Sequence, residues 1–220
     1  MRQWLAVVVS CVQNITELER FCTHGRGHRA AGRRGEAVRS GRAPGRLFTT
    51  AQAREAGVSQ RQLTYYVRSG RLARVRWGVY RLVQYPATPN EDLVAAWLQV
   101  GREAVISHDS ALALYGLSDA LPGRIHLTVS RSASRRHPGL ALHTGRLSPA
   151  EVTEVEGLPV TTVPRTIADV AAAGLAEELV AQAVQEAIAR GLVEEGSLRA
   201  YAEHRKGRFR RLVDEALRER

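Results

Sequence analysis

The stretch SQRQLTYYVRSGRLARVRW, residues 59–77, gathers side chains able to recognise nucleic acid. Glutamine can pair with N6 and N7 of adenine and arginine with O6 and N7 of guanine, each bidentate pair contributing about 1–3 kcal/mol of discrimination. Gln60, Arg61, Gln62, Thr64 and Tyr65 are the expected base-contacting residues, with Ser59 at the head of the same segment. Arg68, Arg71, Arg74 and Arg76 are expected on phosphates, contacts that fix register without reading sequence. Trp77, at the turn that follows, completes the expected DNA-binding set.

Other residues could in principle do different chemistry. Ser107, His108, Asp109 and Ser110 are the types used in nucleophilic catalysis. Neighbours at a helix start do not face one another, so no relay is expected among them. Ser107 reads as an N-cap and His108 as a side chain that packs or bonds locally. No G-x-S-x-G, H-E-x-x-H or phosphate-cradling glycine loop occurs. A metal-dependent nuclease needs an acid-x-Lys on a strand, whereas the one lysine, Lys206, lies in a charged stretch between helices. Asp169, in TIADVA, is expected to accept a hydrogen bond from Arg165 one helical turn earlier. Cys11 and Cys22 with His24 and His28 imitate a metal site, but ten residues separate the cysteines, unlike zinc-ligand spacing. No catalytic residue, metal or cofactor is therefore expected, and the chain is read as not an enzyme.

The elements that must position residues 59–77 are written in local signals. Thr49 and Gln52 make a T-x-x-Q capping box, and Ser59 and Gln62 make a second one just beyond Gly57, which suits a left-handed helix stop. Val58 and Leu63 stand at the N′ and N4 positions of a hydrophobic staple. Leu63, Tyr66 and Val67, at i, i+3 and i+4, are expected to face inward. Gly70 closes this second helix. RLARVRWGVYRL then alternates arginines with apolar residues around a Trp-Gly tip, the pattern of a two-stranded wing. Helix, turn, helix and wing make a winged helix-turn-helix over 47–85. Its usual preceding helix would fall in GEAVRSGRAP, a poor helix former in which only 36–40 could make a truncated turn.

Pro86 and Pro89 mark a linker. Helices are expected over 90–101 and from Ser107, and strands in RIHLTVS, LALHTGRL and GLPVTTV, with a Ser148–Glu151 capping box between the last two. Helices follow from Pro164, over 176–190 and over 208–220. The fold class is α+β: the winged helix-turn-helix, a mixed α/β domain over 90–173, and C-terminal helices over 174–220 that pack on the body. Arg124, Arg131, Arg135, Arg136 and His137 form a second basic cluster, read chiefly as a solvated loop.

Charge separates these regions. The chain of 220 residues is 44% apolar and carries a net +10. Residues 47–89 hold seven arginines against Glu55, and residues 1–46 hold nine basic against three acidic residues, so each region is +6. Residues 90–170 hold seven basic against nine acidic residues, and 171–220 hold nine of each. A basic front end on a near-neutral body points to a polyanionic partner. Residues 23–46 are rich in Gly and Arg and are expected to form a disordered basic arm, so that 1–46 stands outside the folded domains. Two cysteines imply no disulfide framework and suit a reducing cytoplasm. The apolar run from Trp4 to Val9 is too short for a signal h-region of roughly seven to fifteen residues.

In order and in several short motifs, the chain resembles the AbiEi antitoxin family of type IV toxin–antitoxin systems. The pieces are LFTTAQAREAGVSQRQLTYYVRSGRLARVRWGVYR, ISHDSALALYGL, IHLTV and GLPVTTVPRTIADVA. The resemblance implies a winged helix that binds double-stranded DNA at its own promoter and represses its own operon. It implies a second domain that counters a nucleotidyltransferase-like toxin, classically without a stable complex. Some proteins of this organisation continue past a stretch like RKGRFRRLVDEALRER into a nuclease-like domain, a role for which this sequence holds no matching part. Two other readings stay open: a stand-alone regulator with a partner- or ligand-sensing body, and a nuclease remnant.

Overall fold

The computed structural model describes residues 47–119, 122–130, 137–205 and 207–218. The expectations placed on 1–46, on Arg131, Arg135 and Arg136, and on Lys206 lie outside them. The chain divides into two compact units at Gln99/Val100.

Both capping boxes of the first unit form. Thr49 N–H donates to Gln52 Oε1 (2.7 Å) and Gln52 N–H to Thr49 Oγ1 (3.2 Å), opening α1, Thr50–Glu55. Gly57 then takes φ +86°, and Ser59 caps α2, Gln60–Arg68. The tight turn brings Val58 and Leu63 into one core with Phe48, Ala53, Tyr66, Leu72, Tyr80 and Leu82. Complete burial of a side chain such as Leu63 contributes about 1.5–3 kcal/mol. β2, Leu72–Arg76, and β3, Val79–Leu82, form the antiparallel wing. Gly78 supplies its turn with φ +75°, and its carbonyl accepts from Thr50 N–H at 2.9 Å, which ties the turn to the start of α1. A strand absent from the sequence reading, β1, Leu47–Thr49, pairs antiparallel with β3 and gives the order β1-β3-β2. Its three residues are too few to show a period. Arg81, the last arginine of the wing stretch RLARVRWGVYRL, is tied inward by Glu91 (3.0 Å) and the Tyr85 carbonyl. Glu91 opens α3, Glu91–Val100, most of which belongs to this first unit.

The second unit is built on a five-stranded mixed sheet of order β6-β5-β4-β8-β7. Its strands are β4, Val105–Ile106; β5, Ile125–Val129; β6, Leu140–Thr144; β7, Val152–Val155; and β8, Leu158–Thr161. β5 and β6 run parallel, as do β4 and β8. The sequence reading found β5, β6 and β8 and missed the other two. β4 has only two residues, and β7 is a half-exposed VTEV. The capping box at Ser148 forms, but it opens one 3₁₀ turn, Pro149–Glu151, because Val152 at once enters β7.

Among the described residues, five helices complete the unit: α4, His108–Tyr115; α5, Val163–Ala173; α6, Glu177–Ala189; α7, Glu195–Glu203; and α8, Arg208–Arg218. Of these only α7 was not expected. Leu112, Ile167, Val170, Val180, Val184, Leu198, Leu212 and Val213 lie in one apolar cluster, so the C-terminal helices share a core with α4 and α5. Arginines close two helix ends. Arg208 donates to the carbonyl of Ala171 in the last turn of α5 (2.8 Å) and to that of Leu175 just past it (2.6 Å), and Arg190 to that of Gly116 (2.8 Å) beyond α4. The fold is α+β, with an N-terminal winged helix-turn-helix and a helical C-terminus. Among the described residues, no helix is long and apolar enough to cross a membrane.

Candidate nucleic-acid interface

At 100° per residue, Gln60, Arg61, Thr64, Tyr65 and Arg68 fall within one arc of α2 of roughly 140°. All five are exposed, opposite the buried Leu63 and Tyr66. This is the face that can enter a major groove. Tyr65 is 55% exposed and rests edge-on against Tyr66, which fixes its ring at low entropic cost. Thr64 bonds its hydroxyl back to the Gln60 carbonyl (3.0 Å), leaving an oxygen lone pair and its methyl group for a partner.

Gln62 and Ser59 stand apart from that face. Gln62 is half-buried, and its Oε1 accepts from both the N–H and the hydroxyl of Ser59, each at 2.8 Å. The two residues satisfy each other at the helix start, so bidentate adenine pairing by Gln62 requires breaking the cap.

The wing divides in the same way. Arg74 is exposed and lies over the Trp77 ring at 4.3 Å, while Trp77 is 76% exposed at the tip. This stacking holds the guanidinium outward. Arg71 and Arg76 are half-buried, and Arg71 Nη1 and Arg76 Nε have no hydrogen-bond partner. A one-residue bulge sets this pattern: Arg74 faces Tyr80 and Arg76 faces Val79, leaving Val75 unpaired. Arg68 and Arg74 are therefore the cations placed to reach phosphates, over a segment whose one acidic residue is Glu55.

In the second unit the residues considered for catalysis are arranged differently from the sequence reading. Ser107 and His108 do touch, with His108 Nδ1 3.0 Å from Ser107 Oγ. Ser107 is extended (φ −150°, ψ 177°) and His108 has φ +52°, so the pair is not a helical i, i+1 pair and its side chains turn together. Ser107 stands at the N-cap position, but its hydroxyl makes no cap bond. It accepts from Thr128 Oγ1 at 2.8 Å and is wholly buried, which denies a substrate access to it.

His108 in turn belongs to a cluster the sequence reading missed. Its ring stacks on His143 (3.5 Å, 13°), and His143 Nε2 lies 3.1 Å from His126 Nδ1. Asp109 Oδ2 is 3.7 Å from His126 Nε2. Burial, reinforced by the neighbouring imidazoles and Arg165, lowers the pKa of His108 to about 3. Burial also lowers His126, partly opposed by Asp109, and burial and His126 lower His143. All three rings are neutral at neutral pH.

A second knot surrounds Arg165. Its Nε donates to Asp169 Oδ1 (2.8 Å), as expected from the sequence, and its Nη1 to Glu151 Oε1 (3.1 Å). Glu151 also accepts from Tyr201 and Arg205. Burial alone would raise the Glu151 pKa, but the Ser148 N–H, Tyr201, Arg165 and the Ser148 hydroxyl hold it at about 2. A surface cleft of about 610 Å³ runs past Glu151, Thr162, Tyr201 and Arg205, with these charged groups already paired to one another.

Comparison with known proteins agrees with this architecture. Residues 44–83 match the family described as "Transcriptional regulator, AbiEi antitoxin", a segment that takes in α1, α2 and the wing. Among solved structures, the chain is similar to the RV2827C protein from Mycobacterium tuberculosis, with 15% identity, a TM-score of 0.50, and coverage of 78% of this chain and 71% of that one. At that identity the likeness is one of fold. No curated protein matches the chain.

Proposed function

We propose that the protein is a DNA-binding transcriptional autorepressor and the antitoxin of a type IV toxin–antitoxin system. The observation that carries this reading is the exposed face of Gln60, Arg61, Thr64, Tyr65 and Arg68, beside a wing that holds Arg74 outward, in the segment matching the AbiEi regulator family. The α2 face reads base edges in the major groove of its own promoter, and Arg68 and Arg74 neutralise flanking phosphates. The second unit acts without catalysis, countering a nucleotidyltransferase-like toxin.

A salt-titrated binding assay against promoter DNA and a scrambled duplex tests the first half. Wild-type protein should prefer the promoter. Arg61→Ala should cost about 1–3 kcal/mol on the promoter and erode that preference. Arg74→Ala should weaken both duplexes alike and reduce the slope of log K against log salt by about 1. Equal binding of the two duplexes by wild-type protein would remove the operator reading. Co-expression with a nucleotidyltransferase-like toxin, sought among the genes beside its own, tests the second half: growth should be rescued without co-purification of the two proteins.

A further inference from the structure

From the geometry we propose that His108, His126 and His143 form a binding site for a borderline divalent transition-metal ion such as Zn²⁺ or Co²⁺, in the second unit and independent of DNA recognition. One potential ligand atom from each of the three side chains lies within 4.8 Å of the others. Backbone register brings them together. His126 and Thr128 are on the same face of β5, because side chains alternate along a strand, and His143 on β6 is the registered partner of Thr128. His108 reaches that face from the start of α4, where Ser107 N–H bonds the His126 carbonyl at 3.2 Å.

Hydrogen bonding aims the lone pairs inward. Ser107 Oγ accepts from Thr128, so it can also accept from His108 Nδ1–H, which leaves His108 Nε2 with a free lone pair. Asp109 faces His126 Nε2, favouring the proton there and a lone pair on Nδ1. These are the outer partners that orient metal-binding imidazoles and raise their basicity. His126 Nδ1 and His143 Nε2 are 3.1 Å apart. Two nitrogens on a tetrahedral ion at 2.0–2.1 Å are roughly 3.3 Å apart, so this pair already has ligand spacing. On binding, His143 carries its proton on Nδ1, and one ring of the His108–His143 stack (3.5 Å, 13°) turns so that the two in-plane lone pairs converge on the ion instead of running side by side. Three neutral imidazoles suit zinc, cobalt or nickel rather than magnesium or calcium. The half-buried His126 and His143 leave a fourth position for water, while Asp109, on the Nε2 side of His126, offsets the charge of the nearby Arg124 and Arg165.

The test uses the full chain titrated with Co²⁺ after treatment with chelator. One equivalent should bind and give visible d–d absorption without a thiolate charge-transfer band. Cys11→Ser/Cys22→Ser should leave this unchanged. His126→Ala and His143→Ala should each weaken binding by at least tenfold, and Asp109→Asn by about tenfold. Side-chain ¹⁵N spectra of wild-type protein with Zn²⁺ supply a readout that needs no variant to fold: the ring nitrogens of His108, His126 and His143 should shift together. Absence of saturable binding, a thiolate band lost in the cysteine variant, or shifts confined to His24 and His28 would overturn the site.

Discussion

Two glutamines two positions apart on α2 separate the proposed reading role from a folding one. Gln60 is exposed on the arc proposed to enter the groove, whereas Gln62 is held by Ser59. Replacing a capping side chain with alanine costs about 0.5–2 kcal/mol, so Gln62→Ala should lower the melting temperature by several degrees. Where the variant is folded, its promoter preference should change little. Gln60→Ala should do the reverse, keeping the melting temperature and losing discrimination at one base pair. Thermal melts beside competition binding with single-base operator variants separate the two. A Gln62→Ala variant that melts like wild type but loses specificity would make Gln62 a reader after all. The same logic applies to the wing: Trp77→Ala should release Arg74 and lower affinity for all DNA sequences, because stacking pre-orders the cation.

At the scale of elements, what was legible in the sequence is whatever short-range chemistry encodes. Both N-terminal capping boxes, the Gly57 turn, the Trp-Gly tip and the Arg165–Asp169 pair span one to four residues, and each formed. β1 and β4 were illegible because two or three residues carry no period. β7 did carry a signal: Glu156 and Gly157, both at positive φ, make the two-residue turn of a hairpin to Leu158. α7 likewise has Leu198, Tyr201 and Ala202 at i, i+3 and i+4, hidden by Gly196 and the charged residues around it. The histidine cluster was out of reach, since only the parallel register of β5 and β6 joins His126 to His143. Helix ends closed from a distance are equally invisible, and Arg208 is the clearest case. Its two bonds reach the Ala171 carbonyl in the last turn of α5 and the Leu175 carbonyl just past it, and losing hydrogen bonds from a charged donor costs about 1.5–3 kcal/mol. Arg208→Ala should lower the melting temperature of the second unit without altering DNA affinity. Arg208→Lys should restore only part, because an ammonium cannot reproduce the planar fork.

For the whole molecule, two cores in two units predict that stability and DNA binding respond separately to acid. Glu151 is the group that reports on the second unit. Its carboxyl is 15% exposed and binds Arg165, Tyr201 and Arg205, joining the turn before β7 to α5, α7 and the residues after α7. Its pKa falls from 4.5 to about 2 on folding. A carboxylate with a depressed folded pKa contributes stability that is complete above its unfolded pKa and is lost as pH falls through the folded one. The Glu151 contribution should therefore decline between pH 4.5 and about 2, by up to about 3 kcal/mol. Asp169 opposes this trend, because burial raises its pKa despite Arg165. A direct comparison of wild type with Glu151→Gln isolates the Glu151 share. Calorimetry from pH 2 to 6 should show a wild-type transition that falls steeply below pH 4.5. In Glu151→Gln the same transition should start lower at pH 6 and change less with acid, so that the two curves converge near pH 2. Operator affinity of the variant at neutral pH should match wild type, because Glu151 belongs to the second unit and α2 to the first. Parallel curves across that pH range would mean that Glu151 is not held as a carboxylate by Ser148, Tyr201, Arg165 and Arg205, and that the second unit owes its acid sensitivity to another group.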